Sequence, residues 1–161
     1  MAKTDFFKCY GAEKRQDSLV ELGKDSWLLI YGYGTDGEQG YNLRKYYDHK
    51  PTLDEVKRDV RDAIDTETKQ KILEGFEFNG IKVWLSDENQ RNYASIERND
   101  SVTYPLTLKL NEESDGTAVY CTFPTAEDFE KFSKEASLYI LETVMAGWQE
   151  KDGVDWSAFE L

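Results

Sequence analysis

His49, the single histidine of the chain, is the first residue to consider for acid–base chemistry. An imidazole can act as a general base near neutral pH, but it needs an orienting carboxylate and a substrate within reach. Asp48 is the neighbouring carboxylate, and adjacent side chains of an extended chain point to opposite sides. We therefore predict that His49 is a loop residue without a catalytic role. A single histidine also excludes zinc sites that need two or three imidazole ligands.

Four glycines lie close together and could be considered as a phosphate-binding loop: Gly32, Gly34, Gly37 and Gly40. A P-loop requires Lys-Ser or Lys-Thr after its last glycine, and a dinucleotide-binding loop leads into a helix. Here the glycines lead into a second extended run, residues 41–48. The pattern favours the loop of a β-hairpin over a phosphate site.

The 32 acidic residues make chance carboxylate pairs common, so no pair by itself indicates a glycosidase, which needs two carboxylates at a defined separation. Segment 111–117 could hold a calcium ion loosely, but it lacks the EF-hand order, and a solvated hairpin tip is favoured. No serine-nucleophile motif of the form G-x-S-x-G occurs. Cys9 and Cys121 are far apart in sequence, and we predict free thiols. The sequence therefore predicts no enzyme, no cofactor and no metal site.

The net charge and the apolar runs of the chain indicate which kinds of partner to expect. With 20 basic and 32 acidic residues the net charge is −12, whereas a nucleic-acid-binding protein needs a basic surface. The longest apolar run, residues 27–31, is far shorter than the roughly 20 residues that cross a bilayer. Only Phe6 and Phe7 are apolar near the start, so no signal peptide is expected. We predict neither a nucleic-acid nor a membrane partner, and synthesis in a cytoplasm.

In the first half of the chain, residues 26–48 predict a β-hairpin closed by a longer loop at 35–40. Short strands are plausible at 6–10 and 19–22. Thr52 and Glu55 form a capping box that starts a helix, which ends before Gly75. A similar sequence at 65–67 leaves open a restart of that helix.

In the second half, Asn79-Gly80 predicts a hairpin over 76–85, because these two residues favour a two-residue turn. Ser86 caps a helix that ends near Asn99, and a third hairpin spans 103–123. Thr125 caps a helix of about six turns. Its apolar residues recur at a spacing of three to four from Phe129 and Phe132 through Ala136, 139–140 and 143–144 to 147–148. The expected fold is α+β, with three β-hairpins alternating with three helices and the long C-terminal helix packed on antiparallel sheet. We expect lobes 1–74 and 75–161, with one compact domain as the alternative.

Residues 75–93, with the sequence G-F-E-F-N-G-I-K-V-W-L-S-D-E-N-Q-R-N-Y, carry a resemblance to a known family. The segment resembles the hallmark of an uncharacterised family encoded by tailed phages and prophages of anaerobic gut bacteria. The similarity extends to D-H-K-P-T-L-D-E-V-K at 48–57, to the strands near 105–109 and 119–123, and to Gly147-Trp148. It covers most of the chain, from about residue 46 to 156.

The resemblance implies a gene near tail and fibre modules. It further implies a structural or adaptor subunit of the virion, made in the bacterial host cytoplasm. Partners would be other phage structural proteins and further copies in a symmetric assembly. A non-virion chaperone for tail fibres and a host-glycan-binding module are the alternatives. Exposed aromatic and polar side chains suit such interfaces, and the candidates are Trp84, Glu88, Asn89, Gln90, Tyr93, Trp156 and Phe159.

Two interpretations of L-S-D-E-N-Q remain open at this stage. Ser86 can cap the helix, Glu88 favours the helix dipole in its first turn, and Asn89 and Gln90 can bond neighbouring backbone, which would make the motif structural. Alternatively, the same side chains form a polar patch that docks a fibre.

Overall fold

The computed structural model describes residues 5–160. Three α-helices, eight antiparallel strands and a short 3₁₀ helix make up this part of the chain, which confirms the predicted α+β class. The chain divides into two compact units. Unit 1 comprises Met1–Asp65 and Glu150–Leu161, and unit 2 comprises Thr66–Gln149.

Unit 1 is built on a four-stranded antiparallel sheet with the strand order β1-β4-β3-β2. Its strands are β1 (Phe7–Tyr10), β2 (Ser18–Gly23), β3 (Ser26–Asp36) and β4 (Gln39–Tyr47). The short strands expected before residue 26 are therefore present, and they form the two edges of the sheet. Helix α1 (Leu53–Glu74) follows, and its capping box is confirmed, because the backbone N–H of Glu55 donates to Thr52 Oγ1 and that of Thr52 donates to the Glu55 carboxylate.

The longer loop predicted at 35–40 is wrong. Asp36 pairs with Gln39, so Gly37 and Glu38 alone form the turn, and Gly37 adopts a φ of 61°. The register shifts instead between Tyr31 and Gly34, where Gly32 has a φ of 72°. A bulge there absorbs the extra residue, which lets both strands continue to a two-residue turn.

One face of this sheet and the first half of α1 enclose the core of unit 1. Leu29, Tyr31, Val60 and Ile64 are at most 2% exposed. The C-terminal 3₁₀ helix (Trp156–Phe159) contributes as well, because Phe159 is buried in the same cluster and Trp156 packs against it. The tail is therefore anchored to this core by its aromatic residues.

Unit 2 consists of two hairpins and two helices, together with the second half of α1. Its elements are β5 (Phe76–Phe78), β6 (Ile81–Val83), α2 (Asp87–Arg98), β7 (Leu106–Glu112), β8 (Ala118–Phe123) and α3 (Ala126–Asp152). The last three residues of α3 belong to unit 1. Asn79 and Gly80 have φ values of 49° and 78° between paired Phe78 and Ile81, which confirms the two-residue turn.

The core of unit 2 is an aromatic cluster. Phe132 lies at its centre, with ring centroids 5.0 Å from Phe78, 5.0 Å from Tyr93 and 5.1 Å from Phe123. Edge-to-face and tilted pairs of this kind are favourable beyond the area that they bury. The N-terminal half of α3 thus packs on the hairpins, as the predicted fold requires.

The division of the chain differs from the predicted lobes 1–74 and 75–161. It falls within α1, between residues 65 and 66, and the C-terminal tail belongs to unit 1. The reason is that α1 runs unbroken over Leu53–Glu74, without the restart considered at 65–67. Val56, Val60 and Ile64 join the core of unit 1, while Ile72 packs against the core of unit 2.

Candidate interaction surfaces

The predicted interface residues differ widely in exposure. Trp84 is 41% exposed and Glu88 is also exposed, whereas Asn89, Gln90 and Trp156 are partly buried. Tyr93 and Phe159 were expected at an interface, and this expectation is wrong for both: they are only 6% and 3% exposed. Their rings fill the aromatic clusters of unit 2 and unit 1, because a large apolar side chain gains more from a core than from water.

The polar residues of the L-S-D-E-N-Q motif hold the start of α2. Ser86 Oγ accepts from the N–H of Asn89, which is an N-cap bond. The side-chain amide of Asn89 donates to the carbonyl of Trp84 at 3.1 Å, and that of Gln90 donates to the carbonyl of Leu85 at 2.7 Å. Both carbonyls lie just before the helix. Because both side-chain amide groups donate hydrogen bonds within the chain, these bonds support the structural interpretation of the motif.

Two carboxylates orient the ring of His49. One of them belongs to Asp48, which we expected to point away from the ring, and this expectation is wrong. Its Nδ1 lies 2.8 Å from Asp48 Oδ1, and its Nε2 lies 2.9 Å from Glu55 Oε2. The bend after β4 turns Asp48 back toward the ring. Hydrogen bonds to Asp48 and Glu55 raise the pKa of the imidazole. Both ring nitrogens are occupied, so the group favours the cation and presents no free nitrogen to a substrate.

A polar cavity of about 270 Å³ opens in unit 1 between β4 and the segment after β1. Tyr10, Lys14, Gln16, Asn42 and Arg44 are among its lining residues. The amide nitrogen of Asn42 donates to the carbonyls of Gly32 and Lys14, which fixes the orientation of this buried side chain. Asn42 Oδ1 and Arg44 Nε have no hydrogen-bond partner within residues 5–160. Both atoms are buried, so the residues of this wall include one acceptor and one donor that are unsatisfied.

The face of the unit 1 sheet opposite its core carries an apolar patch. Val20, Leu28 and Tyr46 face each other across β2, β3 and β4. Phe7 stacks on Tyr46 with ring centroids 5.5 Å apart. Leu28 is buried by these neighbours, while Phe7, Val20 and Tyr46 remain exposed. We call these four residues the open sheet face.

A second apolar surface lies on α3. Its buried residues, among them Phe129, Phe132, Ala136 and Gly147, all fall on one side of the helix. On the opposite side four large side chains follow at spacings of three, four and three residues. They are Leu138, Leu141, Met145 and Trp148, and they are 54%, 51%, 43% and 57% exposed. We call these four residues the outer seam of α3.

The outer seam is what reasoning from the sequence missed. The sequence-based helix pattern started from Phe129 and Phe132 and left out Leu138, Leu141 and Met145. A signal was present, because the apolar residues of the last helix cover nearly all of its circumference after Ala136. A helix that is apolar all round needs partners on more than one side.

Other features of the chain give little indication of chemistry. Cys9 and Cys121 are free thiols, as predicted. Within residues 5–160, no group of three or more histidine, cysteine or acidic side chains could hold a metal ion. No described helix combines the length and the apolar composition that a bilayer crossing requires. Comparisons of the chain with protein-family models, with curated proteins and with solved structures gave no match.

Proposed function

We propose that this chain is a structural protein of a tailed-phage particle that acts as a tail, fibre or collar adaptor through protein–protein contacts. The resemblance of residues 75–93 and their flanks supplies the phage context. The outer seam of α3 is the structural observation that carries the proposal. Contiguous apolar surface of this kind on a water-facing helix is typical of a site for another protein.

The two apolar surfaces suit an adaptor, which must contact more than one neighbour. The outer seam belongs to unit 2, and the open sheet face belongs to unit 1. Each includes aromatic side chains, and the outer seam also includes Met145; aromatic residues and Met are enriched at protein interfaces. Copies in a symmetric assembly would make each of these contacts at equivalent positions.

Mass spectrometry of purified particles tests the placement. Particles of the phage or induced prophage that encodes the chain are banded in a density gradient, and the copy number is measured against the major capsid protein. We expect the chain at a fixed, symmetric copy number. Its presence in the lysate but not in the particles would favour the non-virion chaperone and would remove the structural role.

A particle carrying a seam variant tests the surface. Leu141→Glu places a charge in the outer seam, and Tyr120→Glu is the matched control, because Tyr120 is 61% exposed on β8 and outside the seam. We expect the Leu141 variant to be lost from particles while the control is retained. Equal incorporation of both variants would show that the seam has no part in assembly.

The polar cavity of unit 1 favours host-glycan binding as the second candidate function. Lys14, Gln16 and Arg44 line this cavity with hydrogen-bonding side chains that suit sugar hydroxyls, and the exposed ring of Tyr10 lies in the same lining. A glycan array and a phage-adsorption assay with the free protein would decide. Binding that Arg44→Ala abolishes would support this function, and no binding together with no block of adsorption would remove it.

A further inference from the structure

We infer that the outer seam of α3 pairs with the outer seam of a second copy of this chain, with the two helices antiparallel. This inference rests on the proposed function and names the partner of the same surface. It assigns the four seam residues to the interface between copies and leaves the open sheet face for another protein.

The spacing of the seam fits helix-to-helix packing. Leu138, Leu141, Met145 and Trp148 occupy alternating a and d positions of two consecutive heptads. Side chains at these positions pack into the holes between residues of a facing helix. The seam covers about 15 Å of helix length. The buried side of α3 is already occupied by the core of unit 2, so the facing helix must approach from outside.

Side-chain size favours the antiparallel arrangement. Antiparallel pairing places Leu138 against the partner's Trp148 and Leu141 against the partner's Met145. Each Trp148 then lies against a leucine, and the central layers join Leu141 and Met145, which have nearly the same volume. Parallel pairing would instead place Trp148 against the partner's Trp148 and leave the other layers smaller, which fills the space between two helices less evenly.

Charge favours the same arrangement. The seam is preceded by Lys131 and Lys134 at the next a and d positions, and parallel helices would place each lysine against its copy. Parallel pairing would also bring Glu130 beside the partner's Glu135. Antiparallel pairing separates these groups and leaves one like-charge contact, between Glu142 and the partner's Glu142 at the symmetry axis. Glu135 then lies beside the partner's Gln149, which is neutral.

The exposed area sets the expected strength. The exposed parts of four large side chains amount to on the order of 400 Å² for each copy. A standard stable interface buries about 800 Å² for each partner. The seam therefore buries about half the area of a standard interface for each copy and supports a weak, concentration-dependent dimer. Neighbouring contacts in a particle would raise the effective concentration and make the pairing persistent.

Sedimentation equilibrium over about 5 to 500 µM protein measures this association. We expect reversible dimerisation of the wild-type chain. Leu141→Glu should raise the Kd at least tenfold, and Tyr120→Glu should leave it within about twofold. Circular dichroism of both variants checks that each is folded; should the Leu141 variant unfold, Leu138→Ser serves in its place.

A designed charge pair tests the orientation. Gln149→Lys creates two contacts with the partner's Glu135 in the antiparallel dimer, so the Kd should fall severalfold at low salt. Adding Glu135→Gln should remove that gain. In a parallel dimer, position 149 lies beside the partner's Val144, and Glu135→Gln would not reverse the effect of the lysine.

Each outcome decides a separate point. A chain that stays monomeric at 500 µM, or a dimer that Leu141→Glu does not weaken, overturns the pairing. A gain from Gln149→Lys that does not depend on Glu135 overturns the antiparallel orientation. A monomeric chain that is nevertheless present in particles keeps the proposed function and removes this inference. A chain that dimerises but is absent from particles keeps this inference and removes the proposed function.

Discussion

The ammonium nitrogen of Lys45 lies 2.9 Å from Oδ2 of Asp59, and both side chains are buried in unit 1. The hydroxyl of Tyr47 donates to the same oxygen at 2.7 Å. Lys45 and Tyr47 project from β4, and Asp59 projects from the buried side of α1. Three polar groups thus satisfy one another between the sheet and the helix.

Removing one member of this group should destabilise unit 1 strongly. Asp59→Ala leaves the Lys45 ammonium buried without its partner, and we expect a loss of about 3–5 kcal/mol. The double variant Lys45→Met, Asp59→Leu removes both charges and should be much closer to the wild-type stability. Chemical denaturation measures the difference in unfolding free energy between the variants, and hydrogen exchange of the β3 and α1 amides reports it for unit 1. A double variant as unstable as Asp59→Ala would contradict this account.

The Asp59 carboxylate also makes the stability of unit 1 depend on pH. Burial opposes ionisation, but the hydrogen bonds from Lys45 and Tyr47 outweigh it and lower the pKa of Asp59. A lowered pKa in the folded state stabilises the fold above the unfolded value of about 3.9. The contribution is lost as pH falls through the folded pKa. The difference in unfolding free energy between wild type and Asp59→Asn should therefore shrink between pH 6 and pH 2.

Tyr93 in unit 2 differs from Asp59, because its buried polar group is not satisfied. Its ring packs 5.0 Å from that of Phe132, while its buried hydroxyl has no hydrogen-bond partner within residues 5–160. Burial raises the pKa of this phenol to about 12. Tyr93→Phe keeps the ring and removes the unsatisfied hydroxyl, so we expect unchanged or higher stability, by up to about 1 kcal/mol. Tyr47→Phe is the contrasting control and should destabilise unit 1. A clear loss of stability in Tyr93→Phe would contradict the assignment of an unsatisfied hydroxyl.

The features that the sequence predicted correctly are those decided within a few residues. The capping boxes at Thr52 and Thr125 join groups three positions apart, and the hydroxyl of each accepts from the backbone three residues later. The Asn79-Gly80 turn depends on two adjacent φ values. Local geometry limits the alternatives in each case, so residue type alone is sufficient.

The features that the sequence did not predict depend on distant segments. Which tyrosine is buried follows from how α2 meets α3, and nothing local to Tyr93 distinguishes it from the exposed Tyr120. Asp59 lies three residues after buried Val56 on α1, yet only the position of Lys45 on β4 explains why a carboxylate is tolerated there. The outer seam was missed because the helix pattern was followed along one side only.

The L-S-D-E-N-Q motif predicts a stability effect that an interface role would not produce. Gln90 donates from Nε2 to the carbonyl of Leu85 at 2.7 Å. Gln90→Glu has the same shape but places a carboxylate oxygen against that carbonyl, so we expect unit 2 to lose about 1–3 kcal/mol. Glu88→Gln is the matched control, because Glu88 is exposed in the same helical turn. Unchanged stability of Gln90→Glu, with lost incorporation into particles, would instead indicate a docking role.

Substitutions of Gly80 in the Asn79-Gly80 turn test the backbone conformation without adding a steric clash. Gly80 has a φ of 78°, and a Cβ built there meets no atom within 4 Å. Gly80→Val should therefore destabilise the β5–β6 hairpin only through its backbone, by about 1–3 kcal/mol. Gly80→Asn should be milder, because asparagine tolerates a positive φ. An unchanged melting temperature for the valine variant would contradict the two-residue turn.

The pKa of His49 can be measured without ambiguity, because the chain has one histidine. Hydrogen bonds to Asp48 and Glu55 raise the pKa of this imidazole, so its NMR titration should have a midpoint above the ordinary value of about 6.5. Since the folded state binds the proton more tightly, the stabilisation is complete below about pH 6.5 and is lost as pH rises through the folded pKa. Glu55→Gln removes one of the two carboxylates and should move the midpoint back toward the ordinary value. A wild-type midpoint at or below 6.5 would mean that the two carboxylates do not hold the ring in solution, and His49 would again be open to consideration as a base.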